Sequence, residues 1–247
     1  MTATAIGWIT PDWPLAGQLS VVSTLRGGGV SEGPYASLNL AAHVGDRPEA
    51  VAANRLLLRE AVRLPAEPLW LEQVHGVDVA CHEEAAPGVR ADAAVAFGPG
   101  RVCAVMTADC LPVVLADRAG TRVAVAHAGW RGLLGGILEA TVARLGGEAG
   151  GLHAWLGPAI GPEAFEVGLE VREAYAARLP GSEACFARNE RGRYLADLYG
   201  LARLVLERAE VGVVHGGGWC THRDAERFFS FRRDGVTGRM ATLAWLA

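Results

Sequence analysis

The sequence predicts an α/β fold, bordering on α+β, in which helices pack outside a mixed sheet. Three observations carry this. Six short apolar segments follow one another closely between Leu69 and Ala126, amphipathic helical patterns lie before and after them, and an apolar run from Met240 to Leu246 closes the chain.

Leu19 to Leu25 reads as a strand leading into Arg26-Gly27-Gly28-Gly29-Val30-Ser31-Glu32-Gly33, a loop whose glycines permit φ > 0 and bare backbone N–H groups. Arg26 could grip an anion there, and a plain surface turn explains the string equally well. Asn39 and His43 follow in a stretch that could return toward the same place. Asp46-Arg47-Pro48-Glu49 opens a helix with an Asp cap, an early proline and a Glu in capping-box position, running to about Arg63 with Val51, Leu57, Leu58 and Val62 on its apolar face.

Strands are expected near Leu69 to Gln73, Val77 to Cys81, Ala91 to Phe97, Val102 to Met106, Pro112 to Ala116 and Arg122 to Ala126. Their short connections favour antiparallel pairing over parallel crossovers. Trp130 to Leu145 is a second helix, with Leu134, Ile137, Leu138, Thr141 and Leu145 at helical spacing. It starts directly after His127, so its N-terminus and positive dipole end would face whatever His127 faces. Leu152 to Leu156 is a further strand, Gly157-Pro158-Ala159-Ile160-Gly161 a rigid turn, and Leu169 to Arg178 and Asp197 to Ala209 are helices.

The chain has 247 residues, 51% hydrophobic and 20% charged, enough for one large core. No linker, low-complexity tract or repeat divides it, so one domain spanning residues 1–247 is expected. A formal net charge of −4 gives no drive toward nucleic acid or an anionic membrane. There is no basic residue before Arg26 and no apolar run of membrane-spanning length, which with five scattered cysteines points to a cytoplasmic protein with reduced thiols.

All 23 basic residues are arginine. Without lysine there is no pyridoxal phosphate Schiff base, no Walker A lysine and no lysine general base. Any anion must be held by arginine, by backbone N–H groups or by a metal.

Gln73-Val74-His75-Gly76, Thr107-Ala108-Asp109-Cys110 and Ala126-His127-Ala128-Gly129-Trp130-Arg131-Gly132 each put a metal-competent side chain where an apolar run stops. Taken singly, His75, Cys110 and His127 read as packed core residues. Together they make a His2Cys set suited to zinc, with the fourth tetrahedral position free for water or substrate. Asp109, beside the thiol, could orient a ligand or relay a proton, or simply form a turn.

These strings, with Arg26-Gly27-Gly28, Tyr35-Ala36-Ser37-Leu38-Asn39-Leu40, Gly157-Pro158-Ala159-Ile160-Gly161, Phe229-Ser230-Phe231-Arg232-Arg233-Asp234 and Thr237-Gly238-Arg239, resemble the YfiH-type laccase-domain family over nearly the whole chain. The resemblance implies a compact α/β fold related in architecture to cysteine hydrolases, and zinc bound by His75, Cys110 and His127. It also implies a purine nucleoside phosphorylase acting on adenosine, inosine and methylthioadenosine, with adenosine deaminase activity. Members have further been called polyphenol oxidases and peptidoglycan editing factors.

Phosphorolysis requires an anion clamp for phosphate. Arg26 and Arg131 lead the candidates, followed by Arg232 and Arg233; Trp130 and Phe229 could stack a purine, though core packing explains both. A single copper also suits the His2Cys set, but seven histidines with no His-x-His pair do not supply a multicopper centre. His82-Glu83-Glu84 lacks the Pro-Cys-x-x-Cys partner of nucleobase deaminases. Two other readings use the same residues: Cys110 as nucleophile with His127 as base in an amidase editing peptidoglycan precursors, and a metal-dependent binding protein. Oligomeric state is left open.

Overall fold

The computed structural model describes residues 5–15, 17 and 19–247. In chain order the elements begin with β1 (Trp8–Ile9), β2 (Leu19–Thr24), α1 (Pro48–Val62), β3 (Val79–Cys81), β4 (Ala93–Ala96), β5 (Cys103–Thr107), β6 (Leu111–Asp117) and β7 (Val123–Ala128). They continue with α2 (Trp130–Gly135), α3 (Ile137–Leu145), β8 (Leu152–Leu156), β9 (Glu166–Val167), α4 (Leu169–Arg178), β10 (Phe186–Arg188) and β11 (Tyr194–Ala196). The last are α5 (Leu198–Arg208), β12 (Val213–Gly216), α6 (Phe231–Asp234) and β13 (Met240–Leu246).

Six strands form a mixed sheet in the order β12-β8-β6-β7-β4-β3, antiparallel at its centre and parallel at both outer pairs. Four more form an antiparallel sheet, β1-β2-β13-β5, and β10-β11-β9 make a small third sheet. On the six-stranded sheet Val113, Leu115, Ala124 and Ala126 pack against helical Ile137, Leu138 and Leu201. The alternate residues Val114, Val123 and Val125 pack against Val21, Val105 and Ala244 of the four-stranded sheet. The outer face of that second sheet, with Val22, Ala104 and Leu243, is covered by Leu38, Leu40 and Leu58 of the α1 side. The result is an α-β-β-α layering, an α/β architecture with a mixed sheet as the sequence predicts. Both faces of the central strands of the two larger sheets are covered, which is why those strands read as unbroken apolar runs.

Several expectations are corrected. β5 lies between β4 and β6 in sequence but joins the other sheet, pairing with β13; its five residues are all buried, so nothing in its pattern marks one face as outer. Leu69 to Gln73 forms only isolated bridges, Leu69 to Cys103 and Glu72 to Arg90. There the Gln73 side-chain amide does the pairing, accepting from Met106 N at 2.7 Å and donating to Met106 O at 2.9 Å along the edge of β5. The helix expected from Trp130 to Leu145 breaks at Gly136, whose φ of 106° ends α2 and opens α3. α2 is thus too short to supply the dipole of a long helix behind His127.

The Asp46 capping box does not form either. Arg47 is the cap residue of α1, without a side-chain bond. One Asp46 oxygen does accept from Arg47 N, but the other is taken by Ser31 Oγ at 2.6 Å and Asn39 Nδ2 at 2.9 Å, so the carboxylate ties two loops together. Among the described residues no helix is long and apolar enough to cross a membrane.

Candidate metal centre

β6 and β7 are paired so that Leu111 faces Ala128 and Pro112 faces His127. Cys110, one residue before β6, therefore lies beside the end of β7 that carries His127. His75 comes from a distant loop, and Asp92 brings it in. The Asp92 side chain is wholly buried and accepts from the backbone N–H groups of Val74 at 3.1 Å, His75 at 2.9 Å and Gly76 at 2.6 Å. The same carboxylate accepts from His127 Nδ1 at 2.8 Å. A carboxylate can only accept, so Nδ1 of His127 carries the proton and Nε2 is left for the site.

Burial disfavours the Asp92 carboxylate, but the bonds from His127 and from the Gly76 and Val74 N–H groups outweigh it and hold the group below the usual carboxylate range. His75 has φ of 60°, a left-handed conformation unusual for histidine. Its own N–H bond to Asp92 holds it there.

Cys110 Sγ lies 3.8 Å from His75 Nε2. The two imidazoles meet edge to face with centroids 4.7 Å apart, and the three ligand atoms lie within 4.8 Å of one another. Tetrahedral zinc with one thiolate and two imidazoles spaces such atoms by about 3.5 Å, so small side-chain shifts close the set on one ion. Burial alone would raise the Cys110 thiol, but His127 and His75 overcome it and the thiol titrates below its ordinary value. Burial likewise opposes the His127 imidazolium, and Cys110 and Asp92 overcome it upward. The buried Cys103 thiol, with no such neighbours, is pushed up instead. Of these cysteines, Cys110 is the one prepared to be a thiolate.

Gly129 opens the space these side chains use. Its φ of −64° suits any residue, yet a methyl there would stand 3.0 Å from Cys110 Sγ and 3.0 Å from His75 Cδ2. Gly129→Ala is expected to weaken metal binding about tenfold, the lower end of what disturbing ligand orientation does. A chelator-competition titration checks this; unchanged affinity would mean the ligands have room to move aside.

A cavity of about 230 Å³ adjoins the triad, and its walls include His43, Gln73, Phe231 and Arg239. The other predicted site residues fall elsewhere. The Arg26 guanidinium donates to Ala36 O at 3.1 and 3.2 Å and to Ala225 O at 2.9 Å, and lies over the Phe229 ring. Phe229 is completely buried, a core residue and no purine platform. Arg131 is exposed and lies over Trp130, 4.3 Å from the ring centroid. Arg232 donates to Glu166 O, and Arg233 to Thr221 O, His222 O, Phe228 O and Asp234. None of these arginines lines the cavity.

Asp109 has both carboxylate oxygens engaged, one by Thr221 Oγ1 at 2.6 Å and the other by Arg232 N at 2.7 Å. Asn39, wholly buried, accepts from Arg239 N at 3.0 Å and so positions the arginine that does reach the cavity. Of the residues proposed from sequence for substrate contact, His43 alone is in the cavity wall. Burial first, then Arg239 and Arg55, hold its imidazole below the ordinary range. Asp92, Phe231 and Arg239 carry no sign of a site role in the sequence around them. Asp92 is hidden inside an apolar run, and the string Thr237-Gly238-Arg239 marks the family without giving Arg239 a role that the other 22 arginines lack.

The family model for multi-copper polyphenol oxidoreductase laccase matches residues 20–247. A protein of Pseudomonas aeruginosa named purine nucleoside phosphorylase is 53% identical over 97% of this chain and 98% of its own length. Escherichia coli YfiH, also named purine nucleoside phosphorylase, is 53% identical over 96% of this chain and 98% of its own. Among solved structures, a Neisseria meningitidis protein superposes with a TM-score of 0.93 at 50% identity, covering 97% of this chain and 98% of that one. YlmD from Geobacillus stearothermophilus gives 0.92 at 32% identity, over 98% and 97%. With its His75, Cys110 and His127 cluster on the layered α/β frame, the chain belongs to the YfiH-type laccase-domain family.

Proposed function

We propose that this protein is a zinc-dependent purine nucleoside phosphorylase acting on adenosine, inosine and methylthioadenosine. The observation that carries it is the convergence of His75, Cys110 and His127 beside a cavity that also presents an arginine and an exposed aromatic ring. The names of relatives at 53% identity support the same reaction. His75, Cys110 and His127 would hold the ion. Two imidazoles and one thiolate suit zinc, and the described residues offer one such cluster, enough for a single ion. When bound, zinc would supply Lewis-acid polarisation to a substrate oxygen.

The chain's own residues do the rest. In phosphorolysis a phosphate oxygen bonds to C1′ of the ribose while the C1′–N9 bond breaks and its electron pair leaves with the purine. His43, kept neutral, offers a ring N–H to that departing base. Phe231, 57% exposed at the cavity wall, offers a flat face on which the purine can stack.

Zinc-replete protein given adenosine with phosphate is expected to yield adenine and ribose 1-phosphate. No adenine should form without phosphate, after chelation, or in His75→Ala. Product chromatography checks this. Inosine alone would make the reaction a deamination, and stoichiometric binding without turnover would make the protein a binding module.

A second reading is favoured by the line Cys110, His127, Asp92, in which a lowered thiol faces an imidazole oriented by a buried carboxylate. That arrangement suits a thiolate nucleophile attacking an amide, as in peptidoglycan precursor editing. Chelation separates the two, abolishing phosphorolysis and sparing or enhancing amide hydrolysis.

A further inference from the structure

We infer that Arg239 is the residue that binds the phosphate co-substrate, an assignment that rests on the phosphorylase reading and supplies the anion site that reading needs. The argument begins with charge. The chain has no lysine, so its only permanently cationic side chains are arginines. The four that sequence reasoning favours lie outside the cavity, their guanidiniums spent on carbonyls, on Asp234 or on an aromatic face. Among the residues lining the cavity with Cys110 and His127, Arg239 is the one arginine.

Its environment is that of a cation awaiting an anion. Arg239 is partly buried just ahead of β13, lies 5.8 Å from the Phe231 ring centroid at the cavity wall, and spends Nη1 on two carbonyls, Thr237 O at 2.9 Å and Gly238 O at 3.0 Å. Among the described residues it belongs to no ion pair. Cys110 and then the Asp109 carboxylate are close enough to be felt, but neither is hydrogen-bonded to the guanidinium, and Asp109 is already committed to Thr221 and Arg232 N. A desolvated guanidinium without a carboxylate is unfavourable unless a ligand supplies the charge.

The group is also held still. Asn39 Oδ1 accepts from Arg239 N at 3.0 Å, and Arg239 O accepts from Leu40 N at 3.3 Å, so a buried turn fixes its backbone on both sides. The two carbonyls fix Nη1, leaving Nε and Nη2 as a fork of donors matched to two oxygens of one phosphate. Gly238 belongs to the same device. A Cβ there would stand 2.8 Å from Phe229 Cζ and 2.9 Å from Asn39 Cβ, so the chain must be bare at this point to set Arg239 into the cavity.

Inorganic phosphate titrated into the purified full-length protein, followed by calorimetry, tests the assignment. Arg239→Ala should weaken binding about 30-fold or more, the range for removing a hydrogen bond to a charged group. Arg239→Lys should retain part of it, since charge stays and the fork is lost. Arg131→Ala should bind within about twofold of wild type, because Arg131 lies outside the cavity. In turnover assays Arg239→Ala should raise the KM for phosphate far more than that for adenosine. Metal content and melting temperature confirm that each variant is folded, and Arg239→Lys stands in if the alanine variant is not.

Phosphate affinity and phosphate KM unchanged in Arg239→Ala or Arg239→Lys would overturn the assignment while leaving phosphorolysis intact. Absence of phosphate binding by wild type would also overturn it. Arginine-dependent phosphate binding with no nucleoside turnover would instead uphold the anion site and sink the phosphorylase reading.

Discussion

Asp92→Asn is expected to lower the affinity of the centre for zinc by about 10- to 100-fold, the range for losing a carboxylate that orients a metal-bound histidine. The effect is large because one carboxylate carries two jobs. It holds His75 in its left-handed backbone through three consecutive N–H groups, and it sets the tautomer of His127. An amide in its place turns an NH2 toward donors and weakens both at once. Asp92→Ala goes further, leaving three partly buried N–H groups and a buried imidazole without an acceptor. It should destabilise the fold by about 3 kcal/mol or more. Competitive chelator titration reads the first quantity and urea unfolding of metal-free protein the second. Wild-type zinc affinity in Asp92→Asn would mean that the ligands are placed by their own strands and that Asp92 only anchors a loop.

The same residue shows where sequence reading stops. Leu152 to Leu156, Leu169 to Arg178 and Met240 to Leu246 are legible to the residue, because each apolar or amphipathic run meets a clear stop and its packing agrees with its local preference. The candidate metal triad is legible because each of its side chains stands where an apolar run of the sequence stops, although the run before His75 folds as isolated bridges and not as a strand. Asp92 is not legible, since a carboxylate beside Ala91 and Ala93 looks like a strand residue until its partners, Val74 to Gly76 and His127, are known to be adjacent. Arg239 is hidden for a related reason. An arginine's role depends on which carbonyls and acids reach it, and those of Arg26 and Arg233 lie at positions no local pattern reveals. The break at Gly136 was visible only as a glycine, which helical patterns tolerate unless φ must be positive. The short β9, β10 and β11 carry too few residues for any period to register.

Asp109→Ala is the second large expectation, and it separates a chemical from a positioning role. Asp109 has φ of 92°, a conformation asparagine accepts far more readily than alanine. Its carboxylate joins Thr221 to the backbone N–H of Arg232, the second residue of α6. α6 carries Phe231, so the bond to Arg232 N places one wall of the cavity. The alanine variant should lose about 3 kcal/mol of stability through backbone strain and two unmatched polar groups. Its KM for adenosine should rise about tenfold, with kcat changing less, because the wall moves while His75, Cys110 and His127 keep Asp92. Asp109→Asn, which keeps one acceptor and tolerates the backbone, should recover most of both losses. A proton relay behaves oppositely: kcat falls in both variants, a limb of the pH–rate profile disappears, and KM stays put. Each oxygen already accepts one bond, from Thr221 or from Arg232 N, so the carboxylate bridges two segments that shape the cavity, which makes the KM effect the expected one.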